Sequence, residues 1–261
     1  MESVITSREN GKVKYACKLA QSAAFRNQER SFFAEGLKLC LELADSSLHL
    51  KVIFYTEKAL NKTLALADLP GEHYLVEDHV ADKLAQSQSS QGVFGVFEMP
   101  RFGWELIQPG MRLLALEGVQ DPGNVGTLIR SAAAFGFDGV LLAGGCASPW
   151  SPKTLRAGMG ACAKLPILEL PHMPSAIDQL NGMGYTTLAA ALYNSRPLTG
   201  TPHSYPSGVC LVIGSEGQGL TEETQKACTA AIRIPMTQRV ESLNAGVAGS
   251  VLLWYFGTGE E

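Results

Sequence analysis

Three glycine-rich segments in the second half of the chain hold the side chains whose types and spacing could do chemistry. The first, LLALEGVQDPGNVGTLIRSAAAFG, carries Asn124 and, six residues on, Arg130. Asn124 fits a helix N-cap, where a side-chain oxygen accepts from a free backbone N–H. Arg130 is a lone charge on a helix otherwise built from Val125, Leu128, Ile129 and Ala132 to Phe135. It is either a solvated helix arginine or a group that serves a cleft. The second segment, LVIGSEGQGL, puts Glu216 after an apolar strand and among Gly214, Gly217 and Gly219. Glycine admits positive φ and lets a ligand approach the backbone, although a plain turn uses the same residues. The third, IRIPMTQRVESLNAGVAGSVLLWYF, has Ser242 in an N-cap position and a helix that starts small, with Ala245, Gly246, Ala248, Gly249 and Ser250. Glycine inside a helix costs about 0.5–1 kcal/mol relative to alanine. Gly246 and Gly249 therefore need a reason, such as close approach of another backbone.

Such groups can bind a ligand at the carboxyl ends of strands, where open α/β sheets place their sites. Other chemistries lose support. There is no G-x-G-x-x-G after a strand, no G-x-x-x-x-G-K-[ST] and no H-E-x-x-H. Ser215 is not in a nucleophile elbow, because Ile213 stands where that motif needs glycine. The five histidines lie outside the three segments, and the six cysteines form no C-x-x-C pair. No metal is expected.

The elements that must position these residues follow from patterning. Arg112–Leu116, Gly139–Leu142, Lys164–Leu168, Tyr185–Ala190, Val209–Ile213 and Ala231–Ile234 read as strands. Between them, helices are predicted over Asn124–Phe135, Pro152–Ala161, Ser175–Met183, Thr221–Cys228 and Ser242–Phe256, with Val247–Phe256 read as a buried helix. This alternation predicts a mostly parallel sheet covered on both faces. The first hundred residues also alternate. Helices are predicted over Val13–Ala24, Glu35–Ala44 and Glu77–Leu84, and strands over Ser31–Ala34, Leu50–Tyr55 and Gly92–Glu98. Met99–Gly110, with two prolines and two glycines, reads as a linker. The expected organisation is residues 1–100, a linker at 101–110 and a second domain over 111–261.

The chain has 261 residues, 46% hydrophobic and 18% charged, which is a globular composition. The net charge of −4 argues against an indiscriminate nucleic-acid binder. Residues 1–30 nevertheless hold Arg8, Lys12, Lys14, Lys18, Arg26 and Arg30 against Glu2, Glu9 and Glu29, a local excess of basic charge. No apolar run reaches the ~18 residues of a membrane span, no signal-peptide core is visible, and a cytoplasmic location is expected.

Taken in order, EGVQDPGNVGTLIR (Glu117–Arg130), IGSEGQGL (Ile213–Leu220) and IPMTQRVESLNAGVA (Ile234–Ala248) resemble the motifs of the SpoU (TrmH-type) RNA ribose 2′-O-methyltransferases of the SPOUT class. SPKTLRAGMGA at Ser151–Ala161 is similar to the family's second helix. Arg30–Leu43 (RSFFAEGLKLCLEL) resembles part of the small ribosomal-protein-like RNA-binding domain that precedes the catalytic domain in many members. The resemblance implies a C-terminal α/β domain with a parallel sheet and a trefoil knot, and a smaller α/β domain before it. It implies S-adenosylmethionine as cofactor, held by Gly214, Gly219, Ile234, Met236 and Leu243. It implies Asn124, Arg130, Glu216, Ser242 and Asn244 as the polar active-site residues. It also implies a homodimer and an RNA substrate, ribosomal ahead of transfer RNA. A tRNA 2′-O-methyltransferase and a catalytically inactive RNA-binding protein on the same scaffold are the alternatives. Ser215 stands where asparagine is usual, Ala245-Gly246 where Val-Ser is usual, and Gly158 where serine is common. By the same resemblance Arg130 governs the acceptor. A guanidinium keeps its proton in water, so gripping phosphate and stabilising a developing alkoxide suit it better than acting as a simple base. Similar enzymes have been assigned an arginine base helped by the substrate phosphate, and both roles stay open.

Overall fold

A computed structural model describes residues 3–199, 205–237 and 239–257. The chain divides into two compact units: residues 1–101 with 150–163, and residues 102–149 with 164–261.

The first unit is built from β1 (Ser3–Ile5), α1 (Gly11–Gln21), α2 (Ala23–Glu29), β2 (Ser31–Glu35), α3 (Leu37–Ala44), β3 (Leu50–Tyr55), α4 (Glu57–Leu60), β4 (Glu72–Val76), α5 (Asp78–Leu84) and β5 (Val93–Glu98). Its sheet runs β1-β4-β3-β5-β2, with β5 antiparallel to both neighbours and the other pairings parallel. The helix expected over Val13–Ala24 is broken at Ser22. That residue closes α1, and its hydroxyl accepts from the Phe25 N–H at 3.1 Å to start α2. Serine in an extended conformation is a better cap than a helix interior residue, so the break is written at one position. The short β1 and the polar β4 (EHYLV) carry no apolar run and were not predicted.

The second unit holds β6 (Arg112–Glu117), α6 (Pro122–Ala134), β7 (Gly139–Ala143), β8 (Ile167–Glu169), α8 (Met173–Gly182), β9 (Thr186–Ala190), β10 (Arg196–Pro197), β11 (Val209–Gly214), α9 (Glu222–Ala227), β12 (Ala230–Arg233) and α10 (Ala245–Phe256). The helix between β7 and β8, α7 (Pro152–Gly158), packs instead in the first unit, where Trp150 meets Phe32 with ring centroids 4.9 Å apart. The seven strands run β10-β12-β9-β11-β6-β7-β8, and every pairing is parallel. β11 and β6 are buried along nearly their whole length, as their continuous apolar sequences require.

The stretch read as a linker is partly built into the second unit. Phe102 and Trp104 pack against its core, Ile107 is buried, and the Tyr185 hydroxyl donates to the Gln108 carbonyl. Its aromatic residues, rather than its prolines and glycines, decide its fate. α10 also departs from expectation: Val247 and Trp254 are 52% and 66% exposed on a helix read as buried. No described helix is long and apolar enough to cross a membrane.

Candidate active site

Because all seven strands are parallel, the three motif segments leave the sheet at one edge, the carboxyl ends of β6, β11 and β12. After β6 the chain turns through Gly118, whose φ is +68°. Asp121, not Asn124, then caps α6, accepting from the Asn124 N–H at 2.9 Å. The correction has a physical cause. The fixed φ of Pro122 suits the first helical position, so the helix begins earlier than its first apolar residue suggests. Asn124 is thereby freed from capping, and its Nδ2 donates to Glu216 Oε1 at 2.5 Å.

Glu216 is held out by a tight turn. Ser215 and Gly219 exchange backbone hydrogen bonds of 3.1 and 3.0 Å, and the Ser215 hydroxyl accepts from the Gln218 N–H at 3.2 Å. A Cβ on Gly214 would lie 2.2 Å from the Gly219 carbonyl carbon, and Gly219 has φ +69°. Gly214 and Gly219 are therefore required by the turn itself, whereas Gly217 is not. Ser215, in the position where the resemblance expects asparagine, closes the same turn through its hydroxyl.

The third segment ends in a cap. Ser242 is not that cap. Asn244 is, accepting from the Val247 N–H at 3.2 Å two residues nearer the helix. Ser242 stays exposed and, among the described residues, its side chain has no partner. A Cβ on Gly246 would sit 2.9 Å from Asn124 Oδ1 and 3.1 Å from Asn244 Oδ1. A Cβ on Gly249 would sit 2.2 Å from Leu128 Cδ2 and 2.7 Å from Ile213 Cδ1. The reason for the small residues is thus close approach by side chains of α6 and β11, not by another backbone.

An open cleft of ≈ 460 Å³ lies between α6 and α10, lined by Asn124, Thr127, Asn244, Gly246, Val247, Ser250, Val251 and Trp254. Ser131 and Ser250 hydroxyls join the two helices at 2.8 Å. The structure thus brings Asn124, Glu216 and Asn244 together. It does not bring Arg130 to them. Six residues beyond Asn124, Arg130 points about 120° away around the helix. It is exposed, with no partner among the described residues. Gly214, Gly219, Ile234, Met236 and Leu243 lie at or beyond the ends of β11 and β12, and none of them lines the cleft. Gly217 and Gly219 have open space where a Cβ would stand, and Met236 and Leu243 are each 36% exposed. Open backbone at Gly217 and Gly219 and accessible apolar side chains at Met236 and Leu243 are the kinds of group that a cofactor with a flat heteroaromatic ring and a polar tail requires. Thr127 and Trp254 were missed as cleft residues. The three-residue step from Asn124 was the available signal for Thr127.

Thiol chemistry finds no foothold here. Burial pushes the Cys40 and Cys162 thiols up to about 12 and raises Cys146 as well. No group of three or more metal-binding side chains is present among the described residues.

The profile of the SpoU rRNA Methylase family matches residues 111–254, and that of an MRM3-like substrate binding domain matches residues 10–95. The chain is 30% identical over 253 residues to the 23S rRNA (guanosine(2553)-2′-O)-methyltransferase RlmP of Bacillus subtilis, covering 96% of this chain and 98% of that one. It is 33% identical over 255 residues to an uncharacterized tRNA/rRNA methyltransferase of Synechocystis, covering 96% and 92%. The crystal structure of AdoMet-bound rRNA methyltransferase from Sinorhizobium meliloti superposes with a TM-score of 0.87 at 31% identity, covering 97% of each chain. With three ordered motifs at one sheet edge and a family profile spanning them, the chain belongs to the SpoU rRNA methylase family.

Proposed function

We propose that this chain is a methyltransferase that modifies a ribose 2′-hydroxyl in structured ribosomal RNA, using S-adenosylmethionine. Family membership carries the methyltransferase activity and the cofactor. The 30% identity to the 23S rRNA 2′-O-methyltransferase RlmP supports the finer reading, and the 2.5 Å bond from Asn124 to Glu216, which ties the first motif to the second, supports the assignment of the polar site residues.

When bound, S-adenosylmethionine supplies a methyl group on a positively charged sulfur. Gly214, Gly219, Ile234, Met236 and Leu243 would hold it. The chain's remaining task is to present the ribose hydroxyl in line and to lead its proton away. Asn124 and Glu216 act as one hydrogen-bonded unit that orients the acceptor. Ser242 and Asn244 hold it from the other side. Arg130, held apart from these residues within one chain, would grip the RNA phosphate and stabilise the forming alkoxide across the homodimer that this reading includes. Its exposed position, without a partner among the described residues, suits a group that engages only when RNA arrives.

The first unit is the RNA-binding part in this reading, supported by the substrate-binding profile over residues 10–95. The family's trefoil knot and a cytoplasmic location belong to the same reading. So does a homodimer, supported by the exposed apolar face of α10 at Val247 and Trp254. A monomer by sedimentation at micromolar concentration contradicts that last element.

The test of the activity is transfer of labelled methyl to purified ribosomal RNA and, in parallel, to transfer RNA. Ribosomal RNA is expected to accept label and transfer RNA not. Arg130→Ala is expected to abolish transfer while calorimetry still detects S-adenosylmethionine binding. Near-normal turnover in that variant removes Arg130 from the site.

A further inference from the structure

Glu117 ends β6 as a buried carboxylate, 8% exposed, and takes no direct part in the site described above. Its backbone pairs in register with Gly214, where the glycine turn of β11 begins. Its side chain reaches the other end of that turn. Oε2 accepts from the Thr221 N–H at 2.9 Å, and Oε1 accepts from the Thr224 hydroxyl at 2.6 Å. The Thr221 hydroxyl lies 3.2 Å from Oε1. One residue therefore fastens both ends of the segment from Gly214 to Thr221. We propose that Glu117 is a positioning residue that fixes the span of this turn and thereby sets the affinity for S-adenosylmethionine.

Two features around Glu117 suit a fixed rather than an adaptable carboxylate. Gly144, at φ +66°, would put a Cβ 3.1 Å from Glu117 Cγ, so the neighbouring strand end makes room for the side chain. Thr224, the second donor, is fully buried, which removes water as a competing partner. A buried charge that loses one of its donors does not relax cheaply. Between the anchors the turn is also held by its own Ser215–Gly219 pairing, by Asn124 on Glu216 and by the Gln225 amide on the Leu220 carbonyl.

The proposal rests on assigning the Gly214–Leu220 turn to the cofactor, and the experiment separates the two. S-adenosylmethionine binding is measured by calorimetry on the full chain without RNA, alongside thermal melting and steady-state kinetics. Glu117→Gln is expected to weaken binding at least about tenfold, the loss of one charge-assisted hydrogen bond. Turnover at saturating cofactor should fall less than affinity does, because Glu117 touches no reacting group and reaches Glu216 only through the turn that carries it. Thr224→Val should weaken binding severalfold, whereas Thr224→Ser, which keeps the hydroxyl, should bind like the parent chain. The threonine pair decides the matter if Glu117→Gln does not fold. Folded Glu117→Gln and Thr224→Val proteins that bind within twofold of the parent overturn the proposal. If Gly219→Val also leaves affinity unchanged, the cofactor assignment of the turn falls with it. If Gly219→Val weakens binding while the other two do not, Glu117 alone is excluded.

Discussion

Asn124 can meet Glu216 because Asp121 relieves it of capping α6. The bond has a direction: the amide donates and the carboxylate accepts. Asn124→Asp keeps the shape but sets two carboxylates against each other. It is expected to lower kcat by roughly tenfold or more at pH 8, the scale of one lost charge-assisted bond. A proton shared by the new pair restores a donor. The ratio of variant to parent activity should therefore rise as pH falls. Parallel pH profiles for the two proteins would show that the bond has no part in turnover. The residue types of the site were legible in the sequence, since amides, carboxylates and glycines at fixed spacing stand out. Their jobs were less so. Asn124 and Ser242 were both read as caps, and both caps fall elsewhere, because Asp121 followed by Pro122 at one helix start and Asn244 at the other are equally good signals.

At the scale of elements, α10 is the piece on which the site depends. Gly249 lets it sit against Leu128 of α6 and Ile213 of β11, both buried side chains with no room to retreat. Gly249→Val overpacks that contact at a cost of about 1–3 kcal/mol, lowering Tm by roughly 2–10 °C. A melting curve checks this, and an unchanged Tm would mean that α10 is not seated as described. Strands with continuous apolar runs, such as β6 and β11, could be read directly from the sequence. β4 could not, because it pairs through its backbone while most of its side chains stay partly in water. α7 was legible as a helix, but its placement was not: the sequence puts it between two strands of the second sheet, whereas Trp150 and Leu155 bury with the first unit.

For the whole molecule, the acidic balance remains meaningful, and the basic N-terminal region is weaker than its count suggests. Lys12 pairs with Glu72 and Lys14 with Glu9, each at 2.6 Å. Arg26 is buried and donates to the Leu19 carbonyl, and Arg30 donates to that of Pro100. Neighbouring lysines hold the Glu9 carboxyl down at about 2, so it stays charged beside them at any ordinary pH. Few free cations remain to grip phosphates from that region. RNA affinity should accordingly fall gently with salt, with a slope of log K against log[salt] no steeper than about −3, corresponding to about four phosphates. Filter binding between low and physiological salt measures it. A much steeper slope would point to broad electrostatic attraction instead of recognition of RNA shape.

The most direct test of the account is a map of ribose 2′-O-methylation across total RNA from cells with and without the gene. The account predicts that one site in ribosomal RNA loses its methyl group, and that the parent chain restores it while Arg130→Ala does not. An unchanged ribosomal RNA map, or a lost site confined to transfer RNA, would contradict it.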